Sequence, residues 1–197
     1  MTSAATKLTE LLSRDPIDLA EVGHFLDGLT SADRIDAIST LQGVKLQRRL
    51  YQVAAASPRV TLEQIVPSDF QPLREIIYHG KNSLPAFTLF QKRFCRPPAD
   101  KRNELWGYNQ ASLGWLVGPG YFVVHDEAPG AAIDYRAVPP RGCDNWPSVA
   151  PNDAGFSRFV YKDMVDYLRR VSKHVFIGSA TKYGKEINSY FVLCRDA

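Results

Sequence analysis

The sequence predicts an α+β protein: a helical N-terminal segment followed by a twisted antiparallel sheet or barrel, with one C-terminal helix before a closing hairpin. Three observations carry this. Apolar residues recur at helical spacing up to residue 57. From residue 87 the period drops to two, in aromatic-rich runs. Pro and Gly turn signals then separate those runs at intervals of about 8–12 residues, as in a meander or barrel. The chain has 197 residues, 45% hydrophobic and 23% charged. That is enough to bury a large core without disulfides or metal.

Leu8, Leu11 and Leu12 share one helical face before Asp15-Pro16 interrupts it. Asp15 is placed to cap a second helix, with Pro16 at its first position. The stripe of that helix is Leu19, Val22, Phe25, Leu26 and Leu29. Thr30 or Ser31 caps a third, carrying Ile35, Ile38 and Leu41. Gly43 breaks the pattern, and Val44, Leu46, Leu50, Val53 and Ala54 make a further face. Residues 58–85 are transitional. Within them 61–65 reads as one helical turn, and 73–78 as either helix or strand. The organisational boundary is set near residue 80, giving a helical segment over 1–79 and a β-barrel-like domain over 80–197.

Strands are predicted at 87–94, 105–109, 113–117, 121–125 and 132–137. A Pro-rich stretch over 139–155 leads into a helix at 157–171, although 164–169 also reads as a strand. Strands at 174–181 and 187–195, joined across Tyr183-Gly184-Lys185, close the chain.

Cys95, Cys143 and Cys194 are odd in number and far apart, which fits reduced thiols. No apolar secretory core follows the N-terminus, no run is long enough to span a membrane, and a cytoplasmic location is the expectation. No cofactor, nucleophile or metal-ligand motif is present. The net charge of +3 divides into −2 over residues 1–70 and +5 over the rest. The excess gathers at Lys92, Arg93, Arg96, Lys101 and Arg102. Interleaved with Phe90, Phe94 and Trp106, this is a pattern that single-stranded nucleic acid uses. It is also that of a solvated connection between strands, and the low net charge weighs against nucleic acid as the partner.

If the strands alternate, Trp106 and Tyr108 share a face, as do Leu113, Trp115 and Val117, and Ile133 and Tyr135. Such faces either line a cavity or pack as core. The segment Tyr167-Leu168-Arg169-Arg170-Val171, then Val175-Phe176-Ile177-Gly178-Ser179-Ala180, Gly184-Lys185 and Tyr190-Phe191-Val192-Leu193-Cys194-Arg195, resembles the closing strands of lipocalin-like (calycin) proteins. Gly107, Leu116-Val117-Gly118-Pro119 and Ile133-Asp134-Tyr135 are similar to their middle strands. The resemblance covers residues 80–195. It implies a barrel with an interior pocket for an apolar or planar ligand, and no catalytic residues.

The expected function is therefore non-enzymatic binding of a small apolar or lipid-like ligand, with no cofactor. Trp106, Tyr108, Trp115, Phe122 and Tyr135 form the expected wall. Lys92 and Arg93 are placed to neutralise a ligand carboxylate at the rim. Two other readings stand beside it. One is an enzyme on the same scaffold, using His125, Asp134 or Tyr108 as acid or base. The other is an interaction module that docks partners through the N-terminal helices. The oligomeric state is not readable from the sequence.

Overall fold

The computed structural model describes residues 3–101, 103–111, 118–127, 130–153, 155 and 157–197. Helices α1 (Ala4–Ser13), α2 (Leu19–Asp27), α3 (Ser31–Ser39) and α4 (Val44–Val53) come first, and a single turn, α5 (Leu62–Ile65), succeeds them. Eight antiparallel strands then run in chain order around a closed barrel. They are β1 (Glu75–Asn82), β2 (Leu89–Cys95), β3 (Glu104–Ala111), β4 (Gly120–Asp126), β5 (Ala131–Asp134), β6 (Met164–Arg170), β7 (Val175–Lys182) and β8 (Lys185–Arg195). Pairing of β1 with β8, from Tyr78↔Arg195 to Asn82↔Phe191, closes the ring. This is consistent with a calycin-like fold.

The expected helices form with small shifts at their caps. Asp18, not Asp15, caps α2, because its side chain accepts from the Glu21 N–H. Thr30 caps α3 by accepting from Asp33 N–H at 3.2 Å. The expected helix over 157–171 shrinks to α6 (Ser157–Tyr161), and the alternative strand reading of 164–169 is the realised one. Met164 and Leu168 fit either period. Pairing on both sides, with β5 and β7, decides for strand. Residues 73–78 likewise lead into the start of β1, so the junction near residue 80 falls within a strand. The strand expected at 113–117 lies outside the described residues.

The apolar stripes of α1 to α4 pack on the outer faces of β7 and β8. Leu8, Leu12, Leu26, Ile38 and Leu50 form one core with Val175, Ile177, Tyr190 and Val192. Across the barrel, the stretch after β5 covers β2, β3 and β4, burying Cys143 and Trp146 against Cys95, Trp106, Tyr108, Tyr121 and Val123. Asn152 pins this strap by donating to the carbonyls of Tyr121 (2.6 Å) and Tyr135 (2.7 Å). Strands covered on both faces need apolar residues at successive positions. That explains the runs Val175-Phe176-Ile177 and Tyr190-Phe191-Val192-Leu193.

The two barrel ends differ. At the lower end α5 acts as a plug, with Val60, Leu62, Ile65 and Val66 joining the interior core. Tyr78 O–H donates to Ile65 O at 2.8 Å, and Arg96 Nε donates to Pro67 O at 2.8 Å. The upper end carries the β1–β2, β5–β6 and β7–β8 connections, and α6 lies across part of it.

Candidate functional site

Alternation along the strands sorts side chains into the barrel or out of it. A chain of rings fills the interior: Phe176 to Tyr78 (5.9 Å between centroids), Tyr78 to Phe94 (5.2 Å), Phe94 to Phe122 (5.3 Å), Phe122 to Tyr135 (5.3 Å) and Tyr135 to Tyr161 (5.1 Å, stacked). Four inner glycines make room for four of the rings. A Cβ on Gly80 would meet the Phe90 ring at 2.4 Å, one on Gly107 the Phe122 ring at 2.2 Å, one on Gly120 the Tyr161 ring at 2.5 Å, and one on Gly178 the Phe191 ring at 2.2 Å. In three of these pairs, Gly80↔Phe90, Gly107↔Phe122 and Gly178↔Phe191, the partners are directly opposite in register.

Into this aromatic interior, toward the upper end, β2 projects Lys92 and β6 projects Asp166. Each side chain is only 3% exposed, and Lys92 Nζ stands 3.1 Å from Asp166 Oδ2. Lys92 also donates to the Tyr135 hydroxyl. Its ammonium lies 4.8 Å from the centroids of both Tyr135 and Phe191, 5.2 Å from Phe122 and 5.7 Å from Phe90. Four rings and a carboxylate thus enclose one cation, an arrangement whose attraction grows as water is excluded. The second carboxylate oxygen, Asp166 Oδ1, is buried and accepts no hydrogen bond among the described residues. The same holds for Asn109 Oδ1, whose Nδ2 donates to the Tyr161 hydroxyl at 2.9 Å.

Burial drives both members of the pair toward their neutral forms. It lowers the Lys92 pKa against the pull of Asp166, and raises that of Asp166 against the pull of Lys92. Tyr135 is raised well above the ordinary phenol range, first by burial and then by the adjacent carboxylate.

The residues expected to form one site fall on two faces. Lys92, Phe122 and Tyr135 meet in the interior. Arg93, the next residue along β2, points outward, and its guanidinium pairs with Glu75 at 3.1 Å. Trp106 and Tyr108 are also on the outer face, beneath Trp146 of the strap. Arg93, Tyr108, Asn145 and Trp146 edge an open groove of about 500 Å³ there. His125 is partly exposed near the lower end of β4, two positions beyond outward-facing Val123. Asp134, outside on β5, is held below the usual carboxylate range by Arg136 despite its partial burial. Trp115 lies outside the described residues.

The described members of the basic patch are dispersed in the same way, and Arg102 lies outside the described residues. Lys92 is inside, Arg93 is outside, and Arg96 is spent on the carbonyls behind α5. All three cysteines are buried and unbridged. Among the described residues no group of three His, Cys, Asp or Glu side chains is placed to hold a metal ion, and no helix is long and apolar enough to cross a membrane.

Asp166 is absent from the residues that the sequence singles out, because its segment reads first as a helix. A usable signal for its partner is present. Phe90-Gln91-Lys92-Arg93-Phe94 places a lysine between two inward phenylalanines, and a period of two leaves it nowhere else to point.

The fold and this site together define a closed, aromatic-filled eight-stranded β-barrel with a charged pair buried beneath one end. Compared with known proteins, the chain matches no family model, no curated protein and no solved structure.

Proposed function

We propose that the barrel binds a small, neutral, mainly apolar or planar ligand at its upper end, on the Lys92–Asp166–Tyr135 cluster. The observation that carries this is the buried pair with its orphan oxygen. Replacing a buried ion pair by apolar residues is often neutral or stabilising by about 1–4 kcal/mol. A barrel already lined with rings gains no evident packing from keeping one. An unmet buried acceptor costs about 1–3 kcal/mol, which a ligand bearing an O–H or N–H donor would recover at Asp166. The closed antiparallel eight-stranded barrel supports the reading. A carboxylate ligand fits less well than the sequence suggests, since Asp166 already matches the Lys92 charge and Glu75 that of Arg93.

Entry requires ring movement. Phe90 is only partly buried and touches Phe191 edge to face, with centroids 6.0 Å apart. These two rings lie over Gly80 and Gly178 and beside the Lys92 ammonium, so their movement is the route of entry in this reading.

Native mass spectrometry of the purified protein, with organic extraction of whatever it carries, tests the proposal. The expected result is a bound neutral species that the Lys92→Met/Asp166→Leu double variant no longer retains, while remaining folded. A wild-type protein that retains no small molecule and takes up none from an apolar library would overturn it. So would equal binding by the double variant.

A further inference from the structure

The upper end has a second property, independent of the interior cluster. Among the described residues, the exposed large apolar side chains are Leu84, Phe87, Leu89, Phe159, Val160, Tyr183 and Ile187. All of them belong to the β1–β2 connection, α6, the β7–β8 turn or the strand ends beside these. The plugged lower end has none among the described residues. Phe87 is 64% exposed and Tyr183 is 69% exposed.

These two aromatic residues also hold strained backbone. Phe87 has φ 52° and Tyr183 φ 53°, the left-handed region that glycine and asparagine occupy most readily. Tyr183 and Gly184 (φ 72°) form a two-residue turn between Lys182 and Lys185, with positive φ at both positions. Asn-Gly is the favoured pair for such a turn. A bulky ring at this position is costly to the backbone and returns little burial. Strain of this kind at an exposed ring points to a use outside the folded core.

The rim is also fixed in place. Asn82 Nδ2 donates to Phe87 O at 3.2 Å, Tyr183 N–H to Asp163 O at 3.0 Å, and Lys182 Nζ to Phe159 O at 2.8 Å. Four cations, Arg158, Lys162, Lys182 and Lys185, stand among the apolar tips. Asp153, Asp163 and Glu186 oppose them, which leaves a small positive excess; Glu186 accepts from the hydroxyls of Ser179 and Tyr190.

We propose that this rim docks the protein on an anionic lipid surface, with Phe87, Tyr183, Ile187 and Leu84 entering the headgroup boundary and Arg158, Lys162 and Lys185 facing the lipid charge. Aromatic and aliphatic tips interleaved with Lys and Arg are the chemistry of interfacial binding. The tips belong to separate turns around a mouth, which a fluid surface can accommodate and a rigid partner face does not. The small positive excess, four cations against three carboxylates, favours an anionic surface over a second copy of the same face. The assignment rests on different residues from the interior site, so either can fail alone.

Flotation with vesicles of phosphatidylcholine, with and without phosphatidylserine, tests it. The wild type is expected to float with the anionic vesicles, and added salt should weaken the binding. Phe87→Asn/Tyr183→Asn is expected to lower partition by about tenfold or more, while its thermal unfolding midpoint rises because the backbone strain is relieved. Ile187→Ser, at an exposed site, should also weaken partition with the fold unchanged. Absence of wild-type binding to anionic vesicles would overturn the proposal, as would unchanged binding by the Asn double variant. A wild-type dimer that the same variant dissolves would overturn it in favour of self-association.

Discussion

Lys92 and Asp166 stabilise each other only as a pair, so their single variants should behave unequally with pH. In Lys92→Met the Asp166 carboxyl stays buried with its cation gone, and its pKa rises further above the unfolded value. A raised folded-state pKa means that stability is fully present below the unfolded carboxylate pKa and is lost as pH rises through the folded one. Lys92→Met should therefore lose about 3–5 kcal/mol near neutral pH, the cost of one unpaired buried charge, and distinctly less at about pH 5. Urea unfolding at the two pH values checks this; a loss independent of pH would mean that Asp166 is not the group left stranded. Lys92→Met/Asp166→Leu should recover wild-type stability or exceed it. At this scale the sequence is half legible. Its residue types single out Lys92, Phe122 and Tyr135 together, and the fold brings them together. Arg93 joins them in the sequence because residue type is weighed without strand parity, and a single step along β2 separates inside from outside; Trp106 and Tyr108 do share a face, but alternation alone does not say which face is the inner one.

The elements are more readable than the site. Helical stripes, the period change from residue 87 and the closing hairpin all come from local sequence, because each element buries one apolar face. Local sequence does not show the pairing of glycines with rings across the barrel. Gly107 and Gly178 look like turn or breaker signals in a strand, whereas each is opposite a phenylalanine that lies over it. Such a glycine has a specific tolerance. Gly178→Ala would push a methyl against the Phe191 ring, whose nearest atom lies 2.2 Å from the new Cβ. The expected cost is about 1–3 kcal/mol of overpacking. Gly184→Ala, where nothing lies within 4 Å but φ is 72°, should instead lose stability through backbone strain alone. Pairing each variant with Phe191→Leu separates the two mechanisms. The smaller side chain should relieve Gly178→Ala and leave Gly184→Ala unchanged, as read by chemical unfolding.

At the scale of the whole molecule, helices and barrel share a core. Val175, Ile177, Tyr190 and Val192 lie in the same apolar cluster as the stripes of α1 to α4, and Arg169 donates to Tyr51 O at 2.7 Å while lying over its ring. The apolar stripes that the interaction-module reading needed for a partner are occupied by the barrel wall. The two parts should therefore unfold together. Helical far-ultraviolet and aromatic near-ultraviolet circular dichroism are expected to give coincident midpoints, and Ile177→Asp should lower both by the same amount; separate transitions would show independent units. This coupling is invisible in the sequence because it joins residues more than a hundred positions apart. The closing register, Tyr78↔Arg195 through Asn82↔Phe191, has a consequence in time. On the ribosome the helices emerge well before β8, so neither the helical face nor the ring of strands can be completed until β7 and β8 are made. Non-local closure of this kind slows folding and leaves apolar surface open meanwhile. The β7–β8 hairpin is thus the keystone of assembly, and a nascent chain stalled before Val175 should be the form that chaperones hold.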